Sequence, residues 1–295
     1  MNQIDCPACG SDLVRDAFTK GAYIYRKCIA CGVLFVANPP PAAEVHAHYS
    51  EDYYEAATLG SEGRKGYPSY MQAQESLENS FKYKLTLLQT RIPSGRLLDA
   101  GAAYGTFLRL ASPYYEGVGL EVSQYAASVA HSSFGIDVKV GSIEHSPPFP
   151  DNYFDVIVMW DIIEHLIKPV VALKEACRML KPGGYIFIST DDASNWLPRL
   201  LNSQWWALGA PLHLCHFSKR GMMSAFERAG DYELIEMVSD LRQYSIPEVI
   251  EHFGVSYQSN LLTKVGVSLG KTLLGSWVIN VKRPEQFIAI ARKRK

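Results

Sequence analysis

Residues 97–107 read LLDAGAAYGTF, and this stretch decides the fold. Its apolar start predicts a β-strand over 96–100, and the glycines that follow predict a turn into a helix. Gly101 permits a tight turn, and Gly105 permits close backbone packing at the start of the helix. Asp99, at the end of the strand, is placed to accept hydrogen bonds or to face an ammonium group. A strand, a glycine turn and a helix in this order are the first unit of an α/β fold.

The same alternation of strands and helices continues to residue 239. Further strands are predicted at 117–122, 137–140, 154–160, 185–190 and 232–238, with a closing strand at 286–292. Helices are predicted at 106–111, 124–133, 169–180 and 219–229, the last with Ser218 as its N-cap. Such alternation predicts a parallel sheet with helices on both faces. Right-handed crossovers then place the ends of the first and fourth strands side by side, where the strand order reverses and ligands bind.

Glu121 ends the second predicted strand, sixteen residues after Gly105. A carboxylate at that place is suited to accept hydrogen bonds from both hydroxyls of a ribose. The dinucleotide pattern GxGxxG is not met, because its second and third glycines would stand at Ala103 and Thr106. The residues therefore favour a nucleoside site over a nicotinamide-dependent oxidoreductase.

Four cysteines near the start of the chain form two C-x-x-C pairs. They are Cys6 with Cys9 and Cys28 with Cys31, and eighteen residues separate the two pairs. This spacing is typical of a zinc ribbon, in which four thiolates close a tetrahedral structural site. The metal would supply folding energy that so short a segment cannot obtain from a hydrophobic core. A pair of disulfides and a thioredoxin-like redox pair are the alternatives.

Composition sets further bounds. The chain has 295 residues, 47% hydrophobic and 20% charged, with a formal net charge of -1. This balance disfavours nucleic acid as the main partner. No apolar run reaches the length of a membrane span, so no integral membrane contact is expected. The start of the chain lacks the pattern of a signal peptide, and we expect a cytoplasmic protein with reduced cysteines.

Several motifs in order resemble the class I S-adenosylmethionine-dependent methyltransferases. These are Asp99-x-Gly101-x-x-x-Gly105, Glu121, Gly141-Ser142-Ile143, the run 148–155, Glu164-His165 and the run 180–184. The chain is most similar to the small-molecule branch that carries an N-terminal zinc-binding segment. The resemblance implies a Rossmann-like sheet of seven mostly parallel strands, the last antiparallel, with S-adenosylmethionine across the carboxyl ends of the strands.

The resemblance also assigns residues to the donor. It places Asp99, Gly101 and Gly105 around the methionine part and Glu121 on the ribose. It places Ser142 and Ile143 against the adenine, and Trp160 and Asp161 near the sulfonium and the substrate. Ala103 stands where the family has its middle glycine. Its methyl group is expected to be tolerated only if the local φ is negative.

Three histidines are candidates for the methyl-acceptor side. His213 matches the general base of sugar-methylating relatives, although Leu212 replaces the acid that precedes that histidine and His216 replaces an aromatic residue. Loss of the acid favours oxygen over carbon methylation. Capping of the following helix and filling a polar place in the core are the alternatives for His213, and His216 is a helper or a wall residue. His165 stands four residues after Asp161, so helical spacing predicts that both lie on one face.

These observations predict three parts of the chain. They are a zinc ribbon at 1–40, a helical tyrosine-rich linker or lid at 41–94, and a methyltransferase domain at 95–295 with an irregular insertion at 240–285. The leading hypothesis is an enzyme that O-methylates a small molecule, a sugar or a glycosylated precursor. An RNA methyltransferase that holds RNA with its ribbon and a degenerate, non-enzymatic ribbon protein are the alternatives. Residues 1–40 carry four basic and three acidic side chains, which is a weak footprint for RNA.

Overall fold

The computed structural model describes residues 5–55, 74–245 and 278–295, together with 250, 264, 265 and 268. Part of the expected lid, 56–73, and most of the expected insertion therefore lie outside the described residues. In the described part of the chain, no helix has both the length and the apolar character needed to cross a bilayer.

A seven-stranded sheet forms the centre of the molecule, in the spatial order β10-β11-β8-β7-β4-β5-β6. Its strands are β4 (Gly95–Ala100), β5 (Tyr115–Glu121), β6 (Val138–Val140), β7 (Phe154–Trp160), β8 (Leu180–Asp191), β10 (Tyr232–Ser245) and β11 (Val278–Lys293). Strands β4 to β8 pair in parallel, whereas β11 runs antiparallel to both of its neighbours. The expected α/β fold with its antiparallel last strand is confirmed.

Helices cover the sheet, and the four predicted at 106–111, 124–133, 169–180 and 219–229 are present within one residue of those bounds, whereas the short helix at 196–201 was not predicted. The helices are α3 (Gln74–Gln89), α4 (Thr106–Ala111), α5 (Gln124–Phe134), α6 (Pro169–Met179), the short α7 (Trp196–Leu201) and α8 (Lys219–Ala229). Ser218 is the N-cap of α8, because its Oγ accepts a hydrogen bond from the N–H of Gly221 at 2.8 Å. Since Ser218 fills this place, a capping role for His213 is excluded.

Strands β10 and β11 are longer than the sequence predicted. They pair with each other from Tyr232↔Lys293 to Ser245↔Val278. The sequence beyond residue 238 lacks a continuous apolar run, so hydrophobic periodicity could not reveal this extension. Strand β8 likewise starts at Leu180, before the glycine pair that was expected to precede it.

The cysteine-rich segment forms a second sheet, and a short strand from much later in the chain completes it. Strands β1 (Val14–Lys20), β2 (Tyr23–Cys28) and β3 (Leu34–Val36) are followed in space by β9 (Cys215–His216). The antiparallel register of the last pair is Leu34↔His216 and Phe35↔Cys215. Two short helices, α1 (Ala42–Ala47) and α2 (Glu51–Glu55), follow this segment along the chain.

Helix α8 also holds the cysteine-rich segment. Ser218 donates from its Oγ to the carbonyl of Cys31, and Arg228 donates from Nη1 to the carbonyl of Ala8 at 3.1 Å. Gly221 lies against Val33 so closely that an added Cβ would stand 2.2 Å from Val33 Cγ2. Glycine is therefore needed here for close packing of the helix on the segment.

Replacing Gly221 with alanine is expected to lower the free energy of unfolding by about 1–2 kcal/mol, measured by denaturant titration. At an open helical position the same change stabilises a protein by up to about 1 kcal/mol. Here the overpacking, which costs roughly 1–3 kcal/mol, should outweigh that gain.

The control is the same substitution in a Val33→Ala background, where the contact atom is gone. There the change from Gly221 to alanine should be neutral or stabilising. An equal loss in both backgrounds would show that the contact with Val33 is not the cause.

Candidate active site

Four strands of the central sheet end on one edge, three of them with side chains that belong to the predicted site and the fourth with an aspartate that was not predicted. Asp99 lies near the end of β4, Glu121 ends β5, Trp160 ends β7 and Asp191 ends β8. All four are buried. Strand β4 pairs with β5 on one side and with β7 on the other, so this edge is the point where the strand order reverses.

The turn after β4 requires both of its glycines. Gly101 has φ +89°, and an added Cβ would lie 2.1 Å from Ile162 Cδ1. Gly105 has φ +74°, and its added Cβ would lie 2.8 Å from Ile136 Cγ2. Both positions are left-handed and crowded, as the sequence predicted for a tight turn with close packing.

The expectation for Ala103 is wrong, because this residue has φ +48° and is left-handed. Such a conformation costs a residue with a Cβ roughly 1–2 kcal/mol. The backbone N–H of Ala103 donates a 2.9 Å hydrogen bond to Oε2 of Glu121. The left-handed conformation of Ala103 thus points its N–H at a buried carboxylate. Strained backbone of this kind is frequent at functional sites.

Glu121 ties three elements together. Besides Ala103, its carboxylate accepts from the N–H of Ser123 at 2.9 Å and from the Tyr54 hydroxyl at 3.4 Å. Burial raises the pKa of Glu121, while the backbone donors, led by Ser123, oppose that shift. Tyr54 belongs to α2, so this short helix covers the acid that was assigned to a ribose.

Asp99 is buried beside a second acid. Burial, and after it the charge of Glu121, raises the pKa of Asp99 to about 8, and the ammonium of Lys84 partly opposes this. The carboxyl group is thus poised to be neutral near pH 7 and to ionise when a cation comes near.

Lys84 is a part of this site that the sequence analysis missed. Its Nζ lies 3.0 Å from Ser189 Oγ, 3.6 Å from Asp161 Oδ2 and 4.9 Å from the ring centre of Trp160. The side chain is only 3% exposed. A signal was present, because Lys84 lies at helical spacing between Phe81 and Leu88, on the apolar stripe of α3.

The residues expected near adenine lie next to the end of β6. Ile143 is buried, and Ser142 accepts from the N–H of Glu144 at 3.2 Å. The N–H of Gly141 donates to the backbone carbonyl of Glu121 at 2.8 Å, which places this loop beside Glu121. Their role toward adenine stays a prediction.

Asp161 and His165 do not share a helix face, so that expectation is wrong. Asp161 has φ +57°, and the helical turn that follows it is a 3₁₀ turn that begins at Ile163 and ends at His165. Asp161 accepts at Oδ1 from Ser189 Oγ at 3.0 Å, whereas His165 Nδ1 lies 2.9 Å from the Tyr49 hydroxyl. The left-handed turn at Asp161 breaks the register on which the prediction rested.

The three candidate histidines lie together beyond the end of β8. The ring centres of His165 and His213 are 4.5 Å apart, and those of His213 and His216 are 6.0 Å apart. The side chain of His213 is 29% exposed, whereas that of His216 is fully buried. Burial holds the pKa of His216 well below its usual value, with the charges of His213 and His165 adding to the shift.

Two buried acids of this region were not predicted as site residues. Asp191 Oδ2 lies 3.8 Å from His213 Nδ1 and 3.9 Å from His216 Nδ1. Glu164 accepts from the Thr190 hydroxyl at 2.9 Å, and burial raises its pKa well above the usual value. Asp191 directly follows the strand predicted at 185–190 and belongs to no motif, so its closeness to the histidines depends on tertiary folding.

The four N-terminal cysteines converge to one point. The Sγ atoms of Cys6 and Cys31 are 3.6 Å apart, and those of Cys9 and Cys28 are 3.5 Å apart. A disulfide needs about 2.05 Å, whereas thiolates on one tetrahedral zinc stand ~3.8 Å apart. All four are free thiols, and the arrangement is compatible with a zinc ribbon.

Comparison with known proteins identifies the family of this chain. The sequence profile of a family described as "Methyltransferase domain" matches residues 71–236, which is more than half of the chain.

Curated relatives match over shorter stretches. An uncharacterised protein of Methanocaldococcus jannaschii is 33% identical over 125 residues, which cover 42% of this chain and 58% of that protein. An uncharacterised methyltransferase of Schizosaccharomyces pombe is 35% identical over 107 residues, covering 31% and 38%. A ubiquinone biosynthesis O-methyltransferase of Xanthomonas campestris is 25% identical over 118 residues, covering 38% and 49%. The chain thus spans less than two thirds of the length of these relatives.

Among solved structures, the fold is similar to a Thermotoga maritima protein described as a SAM-dependent methyltransferase, possible histamine N-methyltransferase. The TM-score is 0.51 and the sequence identity 21%, with 77% of this chain and 94% of that chain covered. At this identity the likeness shows the fold alone. The family match and the seven-stranded sheet together show that the chain belongs to the class I S-adenosylmethionine-dependent methyltransferases.

Proposed function

We propose that the protein transfers a methyl group from S-adenosylmethionine to a hydroxyl of a small molecule, a sugar or a glycosylated precursor. The observation that carries the proposal is the position of His213, a partly exposed histidine grouped with His165 beyond the carboxyl edge that holds Asp99 and Glu121. Neither the RNA-methylating alternative nor the degenerate scaffold is favoured by the family match.

The donor lies across the carboxyl edge in this proposal. Glu121 accepts the ribose hydroxyls, and Asp99 faces the ammonium of the methionine part next to the turn at Gly101, Ala103 and Gly105. Ser142 and Ile143 hold the adenine, and Trp160 and Asp161 lie near the sulfonium. The raised pKa of Asp99 supports this placement, since a cation bound next to a buried carboxyl group stabilises its ionised form.

His213 is the general base of the proposed reaction. A methyl sulfonium is already activated, so catalysis consists mainly of positioning the acceptor and removing its hydroxyl proton. His213 is exposed enough to meet an acceptor, whereas the fully buried His216 serves as a wall of the pocket. His165, held by the Tyr49 hydroxyl, packs against the base and acts as a positioning residue.

Two features support a hydroxylated acceptor. The Xanthomonas campestris relative is an O-methyltransferase of ubiquinone biosynthesis. An aromatic ring also stands near the histidines, since the partly exposed Tyr49 lies edge-on to His165 at 6.2 Å. Aromatic faces pack well on sugars and on planar rings.

We also propose that the four cysteines bind one structural zinc ion. The four Sγ atoms lie within 4.8 Å of one another, and three of the four residues are buried, which leaves little room for water on the metal. Because β3 pairs with β9, the metal would stabilise the strand that carries His216.

The reaction is tested by a screen of sugar nucleotides and small hydroxylated molecules with methyl-labelled S-adenosylmethionine. His213→Gln should lower turnover by roughly 10²–10⁴-fold, the usual contribution of a general base, and leave the donor Kd unchanged. His131→Gln, on the exposed side of α5, is the matched control and should keep full turnover. A wild-type chain that does not bind the donor in calorimetry would refute the proposal, and full turnover by His213→Gln would refute the base.

Asp99→Asn should stabilise the donor-free protein at high pH and weaken donor binding. The pKa of Asp99 is about 8 in the folded chain and ~3.9 in the unfolded chain, so the folded chain holds the proton more tightly. The free energy of unfolding is therefore highest below pH ~4 and falls as the pH rises from there through 8. The variant lacks this loss, so its free energy of unfolding should fall less than that of the wild type between pH 5 and pH 8.5.

The same variant should bind S-adenosylmethionine about 10–100-fold more weakly, because a hydrogen bond to a charged group contributes ~1.5–3 kcal/mol. Calorimetry measures the affinity, and urea titration measures the stability. Parallel pH profiles for variant and wild type would contradict the role of Asp99 as a buried, neutral carboxyl.

Protein purified under reducing conditions should contain one zinc per chain, measured by metal analysis. Cys6→Ser should lose the metal, and Cys177→Ser, whose thiol lies outside the cluster, should keep it. Removal of the metal should lower turnover more than donor affinity, since β9 is on the acceptor side. Zinc-free wild-type protein would show that the cluster is not a zinc site.

A further inference from the structure

We propose that Asp191 is the positioning residue of His213, holding its imidazole with the proton on Nδ1 so that Nε2 faces the acceptor hydroxyl. This inference rests on the proposed role of His213 as a base. It answers the difficulty raised by Leu212, which stands in the sequence where an acid was expected. The acid comes instead from the end of β8.

Asp191 is anchored on its far side. Asp191 of β8 and Gln286 of β11 are partners in the antiparallel strand pair, and Gln286 Nε2 donates a hydrogen bond to Asp191 Oδ1 at 3.1 Å. Both side chains are buried. The other carboxylate oxygen, Oδ2, therefore points in a direction set by the sheet, and His213 Nδ1 lies 3.8 Å from it.

The nitrogen of His213 that faces Asp191 is also the one in need of a partner. Although 29% of the side chain is exposed, Nδ1 is buried and has no hydrogen-bond partner in the described part of the chain. Leaving such an atom unpaired destabilises the folded chain, because its hydration is lost and not replaced. Shortening the contact by roughly 1 Å makes a charge-assisted hydrogen bond, and catalytic contacts of this kind commonly tighten when substrate binds.

His216 shares the carboxylate without replacing His213. Its Nδ1 lies 3.9 Å from the same Oδ2, and the ring is fully buried between Trp205 and Tyr25. Burial keeps this imidazole neutral, and a neutral ring donates one hydrogen bond to a carboxylate oxygen that can accept two. Since His216 is closed off from solvent, only His213 offers a second nitrogen to an acceptor.

A metal ion is the competing explanation for two histidines and an aspartate. Nitrogen and oxygen ligands about 2.0–2.1 Å from a tetrahedral ion stand ~3.3 Å apart. Here the Nδ1 atoms of His213 and His216 lie 3.8 and 3.9 Å from Asp191 Oδ2, which is longer than that separation. The cysteine sulfurs, by contrast, already stand at the separation of a metal site. The spacing therefore favours hydrogen bonding over ion binding.

The proposed step is the direct transfer of the methyl group to the acceptor oxygen. The acceptor oxygen bonds to the methyl carbon as the carbon–sulfur bond breaks, and the electron pair of that bond stays on sulfur, giving S-adenosylhomocysteine. The hydroxyl proton moves to Nε2 of His213, and the charge of Asp191 stabilises the imidazolium until solvent takes the proton.

The test is ¹⁵N NMR of the full chain with ¹⁵N-labelled histidine rings and S-adenosylhomocysteine present, at about pH 8 where an ordinary histidine is neutral. The chain has eight histidines, and the spectrum of His213→Gln identifies the signals of His213. In the wild type, Nδ1 should carry the proton and Nε2 should not. A wild-type ring protonated on Nε2 would overturn the proposal.

Asp191→Asn should move the proton of His213 to Nε2. Gln286 Nε2 holds the carbonyl oxygen of the new amide, so the amide NH₂ turns to His213 Nδ1 as a donor. Asp192→Asn is the matched control, because Asp192 is an equally buried neighbour whose Oδ1 accepts from the N–H of Ser194 instead. It should leave the tautomer unchanged, and an equal effect of both variants would overturn the assignment.

Donor binding separates this proposal from the proposed function. Asp191→Asn should bind S-adenosylmethionine with unchanged Kd, while turnover on an acceptor found in the screen should fall on the order of 100-fold. Failure of the wild type to bind the donor would refute the proposed methyltransferase activity. Selective broadening of the His213 and His216 signals by stoichiometric Mn²⁺ would show an ion site instead and overturn the positioning role.

Discussion

The parallel pairing of β4 with a neighbour on each side is the constraint on which the site depends. From β4 the chain goes out through β5 and β6, and it returns on the other side to β7. Helices that follow β4 and β7 therefore leave in opposite directions, and a gap remains at the carboxyl edge. Asp99, Glu121 and Trp160 reach that gap because each stands at or near the end of its strand.

The histidine group has a different origin, since it depends on contacts between parts of the chain that are far apart in sequence. Strand β9 is held by β3 on one side, and the N–H of Leu214 donates to the carbonyl of Glu164 at 2.8 Å on the other. Tyr25 of β2 adds a ring 6.4 Å from that of His216. The cysteine-rich segment therefore supports the histidine group and shares its sheet and its core with the rest of the chain.

The features that the sequence predicted well are those that depend on local spacing or on general rules of topology. The glycine turn at 101–105, the strand-end acid Glu121 and the order of the sheet belong to this class. Helical spacing failed at Asp161, where one left-handed residue changed the direction of the chain. The backbone preference of alanine failed at Ala103, where a hydrogen bond to Glu121 accompanies the less favourable conformation.

The features that the sequence did not reveal are long-range polar contacts. Lys84 meets Ser189 and Asp161 across the sheet, and Asp191 meets His213 through the fold of a loop. Neither residue lies in a recognisable motif, and both look like ordinary members of a helix and a strand. Of the two, Lys84 alone could have been suspected from the sequence, because it places a charge on the apolar face of α3.

The pairing of β3 with β9 has a practical consequence for protein engineering. The cysteine-rich segment cannot be treated as a detachable leader, because its last strand shares backbone hydrogen bonds with Cys215 and His216. A hybrid that borrows the first forty residues from another methyltransferase must borrow 209–221 as well, so that both halves of the shared sheet and the glycine that lies against Val33 come from the same parent.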